Sequence, residues 1–222
     1  MFRSSARMFA MIFTVLAATV SCNAGNKTAV PGPTVDEAKA PASGKETAVV
    51  AGGCFWGIQA VFQHVKGVIS ATSGYSGGMV KNPDYETVSS GQSGHAESVQ
   101  IVYDPSKITY GELLRVFFSV ALDPTEVNRQ GPDDGTQYRS VIFYGNEEQK
   151  HIAEAYIARL DQTKIFSRAI ATQVVPLKVF YPAEGYHQNY AAIHPNDTYI
   201  MFNDAPKVAN LRREFPDLYS GK

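Results

Sequence analysis

The sequence TAVVAGGCFWGIQAVFQHV occupies residues 47–65 and changes character near its middle. Residues 47–51 are small or β-branched apolar side chains, which favour a strand. Gly52 and Gly53 interrupt this run, and from Cys54 onward the apolar residues recur at helical spacing. The stretch therefore predicts a strand, a tight turn and a helix, with Cys54 at the first turn of the helix.

The same reading extends along the chain and gives a regular order of elements. Further strands are expected at residues 68–75, 97–103 and 138–144, and further helices at residues 110–122 and 147–160. The order βαββαβ predicts an α+β fold, a two-layer sandwich whose ferredoxin-like core holds an antiparallel sheet. The second of these helices is additional to that core. From Val174 the aromatic-rich tail is expected to add short strands and loops.

Composition indicates a folded domain whose function depends on a local site. Apolar residues make up 44% of the 222 residues and charged residues 18%, which is unlike a disordered chain. The 20 basic and 21 acidic residues leave a formal net charge of -1. No global field therefore recruits nucleic acid or acidic lipid. We expect a monomer that does not bind nucleic acid.

The N-terminus reads as a secretory signal peptide over residues 1–24. Arg3 and Arg7 precede an apolar run from Met8 to Ser21, which is shorter than the roughly 20 residues of a membrane-spanning helix. This predicts export to the bacterial periplasm or cell envelope. Cleavage after Ala24 fits an ordinary signal peptide. A lipoprotein leader of residues 1–21 with lipid on Cys22 fits as well, and would anchor the protein to a membrane.

Residues 25–45 are mostly Pro, Ala, Gly, Lys and Thr, a composition typical of a flexible linker. The catalytic domain is accordingly expected to span residues 46–222. Cys22 and Cys54 are the two cysteines of the chain, and they stand in such different contexts that a structural disulfide between them is not expected.

The predicted position of Cys54 suits a nucleophile. A thiol attacks as the thiolate, and an ordinary pKa of about 8.5 leaves little thiolate at neutral pH. Unpaired N–H groups and the dipole at a helix start stabilise the thiolate. Gly52, Gly53 and Gly57 allow backbone and substrate to approach closely. The alternative is a cysteine that only fills the core.

Two aromatic residues follow the cysteine. Phe55 and Trp56 could form an apolar wall beside the sulfur, suited to a small group such as a methyl. Alternatively, Phe55 packs inside the domain and Trp56 covers the start of the helix.

Glu97 opens a predicted strand in which Val99 and Ile101 share its face. If that face is buried, the carboxyl pKa rises and the group can donate a proton near neutral pH. The alternative is a solvated carboxylate at the end of the strand. His95 and Glu97 lack a second cluster with ligand spacing, so we expect no metal.

Six segments in this order resemble the peptide methionine sulfoxide reductases of the A type: residues 53–57, 74–78, 82–85, 94–105, 130–140 and 186–190. They cover most of the chain from Val50 to Tyr199. The resemblance implies a residue for each role in the site. These are Cys54 as nucleophile, Glu97, Tyr85 and Tyr138 at the sulfoxide oxygen, Phe55 and Trp56 at the methyl group, Asp133 in ordering the site and Tyr199 in the pocket.

The resemblance also implies the reaction, reduction of the S epimer of methionine sulfoxide in proteins or as the free amino acid. Cys54 becomes a sulfenic acid. No bound cofactor is implied, and an external thiol such as thioredoxin regenerates the enzyme. Many members carry a second cysteine before the segment at Gly94 or in the tail, where this chain has Ser89-Ser90 and Ile200. This chain therefore resembles a one-cysteine member, whose Cys54 the donor must attack directly.

Two other functions fit parts of the sequence. A thiol peroxidase could reduce hydroperoxides at Cys54, but it gives no reason for the carboxyl and the tyrosines. An exported binding lipoprotein could hold Cys54 as a packed residue. Each of these two functions predicts a different effect of replacing Cys54 from the effect that a reductase predicts.

Overall fold

The computed structural model describes residues 29–221. The predicted signal peptide and the candidate lipidation site Cys22 lie outside the described residues. Within the described range, no helix is both long enough and apolar enough to cross a membrane.

The described residues form strands that pair into a main sheet and one short ladder. The strands are β1 (Glu46–Ala51), β2 (Val68–Ser76), β3 (Ala96–Tyr103), β4 (Arg129–Gln130), β5 (Asp133–Asp134), β6 (Val141–Tyr144), β7 (Gln173–Pro176) and β8 (Phe180–Pro182). The helices are α1 (Phe55–Gln63), α2 (Tyr85–Ser89), α3 (Tyr110–Val116), α4 (Glu147–Thr163), α5 (Tyr190–Ile193) and α6 (Ala205–Glu214). Short 3₁₀ turns cover Thr136–Tyr138 and Gly185–His187, and π-helical turns cover Phe117–Ala121 and Ile200–Asp204.

The strand order of the main sheet is β7-β6-β1-β3-β2-β8. Its inner four strands are antiparallel neighbours in the order of a ferredoxin-like core, which confirms the predicted α+β class. The sheet is mixed rather than wholly antiparallel, because β7 pairs parallel to β6. The long helix α4 connects these two strands, and a helical crossover of this kind returns the chain in the same direction.

Strand β1 is central and buried on both faces. Ala48 and Val50 face the main core with the helices, whereas Val49 and Ala51 join a smaller cluster with Phe143 on the other face. Alternation along the strand produces this division. The next element, α1, packs mainly on β2 and also contacts β3. The turn before α1 is thereby held over the middle of the sheet.

Two predicted elements have different bounds in the structure. The expected strand at residues 138–144 begins only at Val141, because residues 136–138 form a 3₁₀ turn. The expected helix at residues 110–122 is α-helical to Val116 and π-helical beyond it. In the π turn, the hydroxyl of Ser119 donates to the carbonyl of Arg115, and such back-bonding distorts helices.

The tail contains a helix that the sequence pattern did not predict. The helix α6 spans ten residues, and Leu211 is the one residue in it that is fully buried. So few buried positions give no clear apolar periodicity, which is why the tail was expected to hold only strands and loops.

Residues 29–45 contain no regular element, but they are packed against the domain. Val30 is 2% exposed, and its N–H donates to the hydroxyl of Ser119 at 3.1 Å. The hydroxyl of Tyr156 donates to the carbonyl of Pro31 at 2.6 Å. The described part of the predicted flexible linker is therefore held in place, since buried side chains and long-range hydrogen bonds outweigh a composition that favours coil.

We expect Val30→Ala to lower the free energy of unfolding by about 2 kcal/mol, because it removes two buried methyl groups. Val35→Ala is the matched control, because Val35 lies in the same segment and is 36% exposed. Its effect should stay within about 0.5 kcal/mol. Urea unfolding of both variants measures the difference. Equal stabilities would mean that the segment does not pack in solution.

Candidate active site

Cys54 is the N-cap residue of α1 and directly follows the glycine turn after β1, as the sequence predicted. Gly53 has a φ of 91°, and its N–H donates to the carbonyl of Tyr138 at 3.1 Å. A Cβ atom at Gly53 would lie 2.7 Å from Cβ of Gln130. The turn that delivers Cys54 to the helix start therefore requires glycine at this position.

The Cys54 thiol is more buried than its sequence context suggested, with 7% of the residue exposed. Burial raises the pKa of the thiol well above its ordinary value, and the charge of Glu97 raises it further. The backbone N–H of Trp56 donates to the sulfur and lowers the pKa by less. The expectation of a thiolate stabilised at the helix start is therefore wrong for the resting site, because loss of hydration outweighs the helix terminus.

Glu97 projects from β3 and is 2% exposed. It shares a face with Val99 and Ile101, so the predicted buried face is confirmed. Its Oε2 atom accepts a hydrogen bond from the N–H of Phe55 at 3.0 Å, which places the carboxyl at the start of α1.

Burial raises the pKa of Glu97 to about 8, and the Phe55 N–H only partly opposes this rise. Glu97 is therefore mostly protonated and uncharged at neutral pH. In that state it does not disfavour a thiolate at Cys54. The pKa values of the thiol and of the carboxyl both lie above neutral, so both groups hold their protons in the resting site.

Two tyrosines approach the same carboxyl from different elements. Tyr85 is the first residue of α2, and Tyr138 ends the 3₁₀ turn before β6. Burial raises the pKa of each phenol, and the charge of Glu97 is the second cause in both cases. Cys54 acts on both phenols as well, so the four side chains form one electrostatic cluster. Both phenols stay neutral and can donate hydrogen bonds.

Asp133 and Tyr199 form a second pair beside this cluster. The hydroxyl of Tyr199 donates to Oδ2 of Asp133. Burial raises the pKa of Asp133, and this hydrogen bond opposes the rise. The ring of Tyr199 lies edge-on to Trp56, with 6.0 Å between the ring centroids. The structure thus brings the tail residue predicted at Tyr199 to the start of α1.

The two aromatic residues after Cys54 have different surroundings. Phe55 is 1% exposed and packs in the core between Tyr75 and His187. Trp56 is half-buried and stacks on Tyr190, with ring centroids 3.8 Å apart and an interplanar angle of 9°. Phe55 therefore packs as the core alternative expects, and Trp56 presents the more accessible ring.

His187 has no role assigned to it from the sequence, although Tyr186-His187-Gln188 lies in a segment of the resemblance. Its Nδ1 atom accepts a hydrogen bond from Nε1 of Trp56 at 3.2 Å. Burial lowers the pKa of the imidazole, which keeps the ring neutral and able to accept this bond. The ring also lies 4.5 Å from that of Tyr85, measured between centroids. His187 therefore holds Trp56 and Tyr85 in fixed positions.

Glu184 also positions the site and was missed entirely. Its carboxylate accepts hydrogen bonds from the hydroxyl of Tyr75 and from the N–H of Tyr85, both at 2.9 Å. Glu184 thus links β2 to the start of α2, although it lies 109 residues after Tyr75 and 99 residues after Tyr85. An isolated glutamate in a loop carries no periodic signal from which this contact could be found.

Both ring nitrogens of His95 interact with backbone groups. Its Nδ1 atom accepts from the N–H of Gly78 at 3.1 Å, and its Nε2 atom lies 2.8 Å from the carbonyl of Val80. Over residues 29–221, no three His, Cys, Asp or Glu side chains cluster as metal ligands would. In the same range Cys54 is a free thiol.

Comparison with known proteins gives a consistent result. The family model "Peptide methionine sulfoxide reductase" matches residues 46–218. The peptide methionine sulfoxide reductase MsrA 2 of Mesorhizobium japonicum is 58% identical over 85% of this chain and 95% of its own length. A protein of the same name from Synechocystis is 49% identical over 85% of this chain and 89% of its own length.

Solved structures show the same similarity. Methionine sulfoxide reductase A of Corynebacterium diphtheriae superposes with a TM-score of 0.59 at 35% identity, covering 68% of this chain and 76% of that one. Reduced Mxr1 of Saccharomyces cerevisiae gives a TM-score of 0.62 at 31% identity, covering 73% and 92%.

The raised pKa of Glu97 predicts a specific dependence of stability on pH. From about pH 4.5 to about pH 8 the folded protein keeps a proton on Glu97 that the unfolded chain releases. The free energy of unfolding therefore falls as pH rises through this window. Glu97→Gln should remove that fall, on the order of a few kcal/mol between pH 5 and pH 9.

Urea unfolding at both pH values measures this effect. Glu86→Gln is the control, because it removes an exposed carboxyl close to Tyr85. It should follow the profile of the unsubstituted protein. If Glu97→Gln follows that profile too, the carboxyl is not titrating in a buried site.

Proposed function

Because the chain belongs to the peptide methionine sulfoxide reductase family and is therefore an oxidoreductase, we propose that it reduces the S epimer of methionine sulfoxide through a sulfenic acid on Cys54. The substrates are methionine sulfoxide residues in oxidised proteins and the free amino acid. The observation that carries the proposal is the buried carboxyl of Glu97, hydrogen-bonded to the N–H that follows Cys54.

The arrangement of protons supports attack by sulfur on sulfur. The sulfoxide oxygen is a poor leaving group unless it gains a proton as the Cys54 sulfur attacks. Glu97, with a pKa of about 8, holds that proton at neutral pH. The thiol proton passes to the carboxylate that remains. The attack forms an S–S bond between Cys54 and the substrate, and the S–O bond breaks as hydroxide leaves. Hydroxide then attacks the Cys54 sulfur and breaks the S–S bond. The sum is Cys54–SH plus sulfoxide giving Cys54–SOH plus methionine, in which the thiol is oxidised and the sulfoxide reduced by two electrons.

The two phenols support the same step at the oxygen. Burial keeps Tyr85 and Tyr138 neutral, so each can donate a hydrogen bond as charge develops on the sulfoxide oxygen. Glu184 fixes the backbone of Tyr85, and the Gly53 N–H binds the carbonyl of Tyr138. Preorganised donors of this kind stabilise the transition state without having to reorient.

The substrate's methyl group would contact the aromatic side of the site. Trp56 is stacked on Tyr190 and edged by Tyr199, so its ring is held in one orientation. The pair of Tyr199 and Asp133 holds the other side. A chiral sulfoxide with its oxygen at Glu97 and its methyl group at Trp56 can present only one epimer to Cys54.

We propose that an external thiol such as thioredoxin regenerates Cys54. The sulfenic acid and two thiols give Cys54–SH, water and a disulfide in the donor. Apart from Cys54, the sequence contains only Cys22, and the chain has serine or isoleucine where many members carry a second cysteine. Neither a bound cofactor nor a metal enters this sequence of steps.

We also propose that the protein is exported to the bacterial periplasm or cell envelope and acts there as a monomer, with lipid on Cys22 as one form of anchoring. The proposal rests on the leader sequence, which lies outside the described residues. Because residues 29–45 are packed on the domain, a lipid at Cys22 would hold the site closer to the membrane than a free linker of residues 25–45.

Separate assays of the S and R epimers test the proposed function. The purified protein with a dithiol donor should reduce the S epimer at least a hundredfold faster than the R epimer. Cys54→Ser should abolish turnover while the circular dichroism spectrum is retained, because a hydroxyl is a far weaker nucleophile. Undiminished turnover by Cys54→Ser would refute the role of Cys54. Reduction of hydroperoxides but of neither epimer would support the peroxidase alternative.

The role of Glu97 is tested by a single turnover without donor. Glu97→Gln should slow formation of the sulfenic acid by about 10² to 10⁴, because an amide cannot supply the proton. In the unsubstituted enzyme the protonated fraction of Glu97, and with it the rate of this step, should decline above about pH 8. Trapping with a 1,3-diketone and mass spectrometry measures the adduct, and Glu86→Gln is the control. An unchanged rate in Glu97→Gln would exclude the proton-donor role.

A further inference from the structure

Asp204 is a buried carboxyl to which neither the sequence nor the family resemblance assigns a role. It ends the π-helical turn Ile200–Asp204 and is 0% exposed. Its Oδ1 atom accepts a hydrogen bond from Nζ of Lys207 at 3.0 Å, one turn later in α6. Its Oδ2 atom is buried without a hydrogen-bond partner among the described residues. A carboxylate in this position needs a cation close by, and Lys207 supplies it.

The Asp204–Lys207 pair lies directly on the first turn of α1. Gly57 is the third residue of that helix, three positions after Cys54. A Cβ atom at Gly57 would collide with Oδ1 of Asp204 and would lie 2.7 Å from Nζ of Lys207. The missing side chain at Gly57 is therefore what allows the pair to reach the helix that begins at Cys54.

Lys207 also lines a cavity beside the site. Its side chain is 21% exposed, and it lines a cavity of about 320 Å³ together with Asp133 and Tyr199. The same charged group thus contacts a buried carboxyl on one side and a solvent-accessible cavity on the other.

The charged groups around Cys54 come from several elements. Glu97 faces it from β3, and Asp204 and Lys207 face it from the C-terminal segment. Asp133 on β5 and Asp204 both act on the charge of Glu97, and Cys54 acts on the phenols of Tyr85, Tyr138 and Tyr199. Asp204 raises the pKa of Cys54, and Lys207 lowers it. The two members of the pair therefore act on the thiol in opposite directions.

We propose that Asp204 and Lys207 are positioning residues for the reaction, through which the C-terminal segment holds a balanced charge against the first turn of α1 and thereby sets the reactivity of Cys54. This inference rests on the proposed function for its biological meaning. Lys207 makes burial of Asp204 tolerable, and Asp204 offsets the effect of Lys207 on the Cys54 thiol.

Two successive substitutions test the charge balance. All proteins carry Cys22→Ser, so that Cys54 is the one thiol, and the rate of alkylation by iodoacetamide is followed against pH. Asp204→Asn keeps the lysine and removes the anion, so the midpoint should move to lower pH. Adding Lys207→Met to Asp204→Asn should move it back up, because the cation that lowers the pKa of Cys54 is then gone. We expect about a three- to tenfold change in alkylation rate at pH 7 for each step.

Two further measurements separate charge from structure. Lys207→Arg keeps the cation and should keep the midpoint of the unsubstituted protein, and thermal unfolding followed by circular dichroism shows whether each variant folds. If the pair only supported the fold, both Asp204→Asn and the double variant would expose Cys54 and speed alkylation at every pH without moving the midpoint. That result, or shifts of the same sign in both steps, would overturn the inference.

Alkylation does not depend on turnover, so this alkylation experiment is independent of the proposed reaction. Opposite shifts without reduction of either epimer would leave the charge balance intact and remove the proposed function. Reduction of the S epimer without opposite shifts would support the proposed function and overturn the charge balance. Where both hold, the pH profile of the single-turnover rate should shift in the same direction as the alkylation midpoint in each variant.

Discussion

The hydrogen bond from the N–H of Phe55 to the carboxyl of Glu97 fixes the relation between the sheet and the helix that carries the cysteine. It satisfies one of the donors left free at the start of α1. It also holds a carboxyl in a region with almost no access to water. Strand β3 supplies the buried carboxyl, and the turn after β1 supplies the thiol. Because these strands are neighbours in the sheet, their pairing register sets the distance between the two groups.

Burial then determines the charge state of everything around that contact. The pKa of Glu97 rises to about 8 and that of Cys54 rises with it, so the resting site stores protons instead of a thiolate. This favours a reaction in which the substrate must be protonated as it is attacked. It disfavours one in which a free thiolate waits for any electrophile. The neutral phenols and the neutral His187 complete a site that carries little net charge before substrate arrives.

The sequence predicted those parts of the fold and site that depend on neighbours along the chain. The strand, glycine turn and helix around Cys54 follow from local propensity, and the face of Glu97 follows from alternation. The balance between helix terminus and desolvation at Cys54 could not be predicted, because it depends on side chains from other elements that are distant in sequence, among them Glu97, Asp204 and Lys207. Glu184 and Asp204 were missed for the same reason, and residues 29–45 were judged by composition although Val30 is buried.

The C-terminal residues 200–214 bear on both the missing second cysteine and the surroundings of Cys54. In this chain Ile200 follows Tyr199 where many members carry a second cysteine, and residues 200–214 form a π-helical turn and a helix packed on α1. A resolving cysteine in that stretch would have to leave such packing to reach Cys54. Without one, the stretch can stay in place and carry charges instead. The burial that holds the protons also limits access, with Cys54 7% exposed. Any molecule that reacts at Cys54 must therefore reach a sulfur that its surroundings leave almost inaccessible.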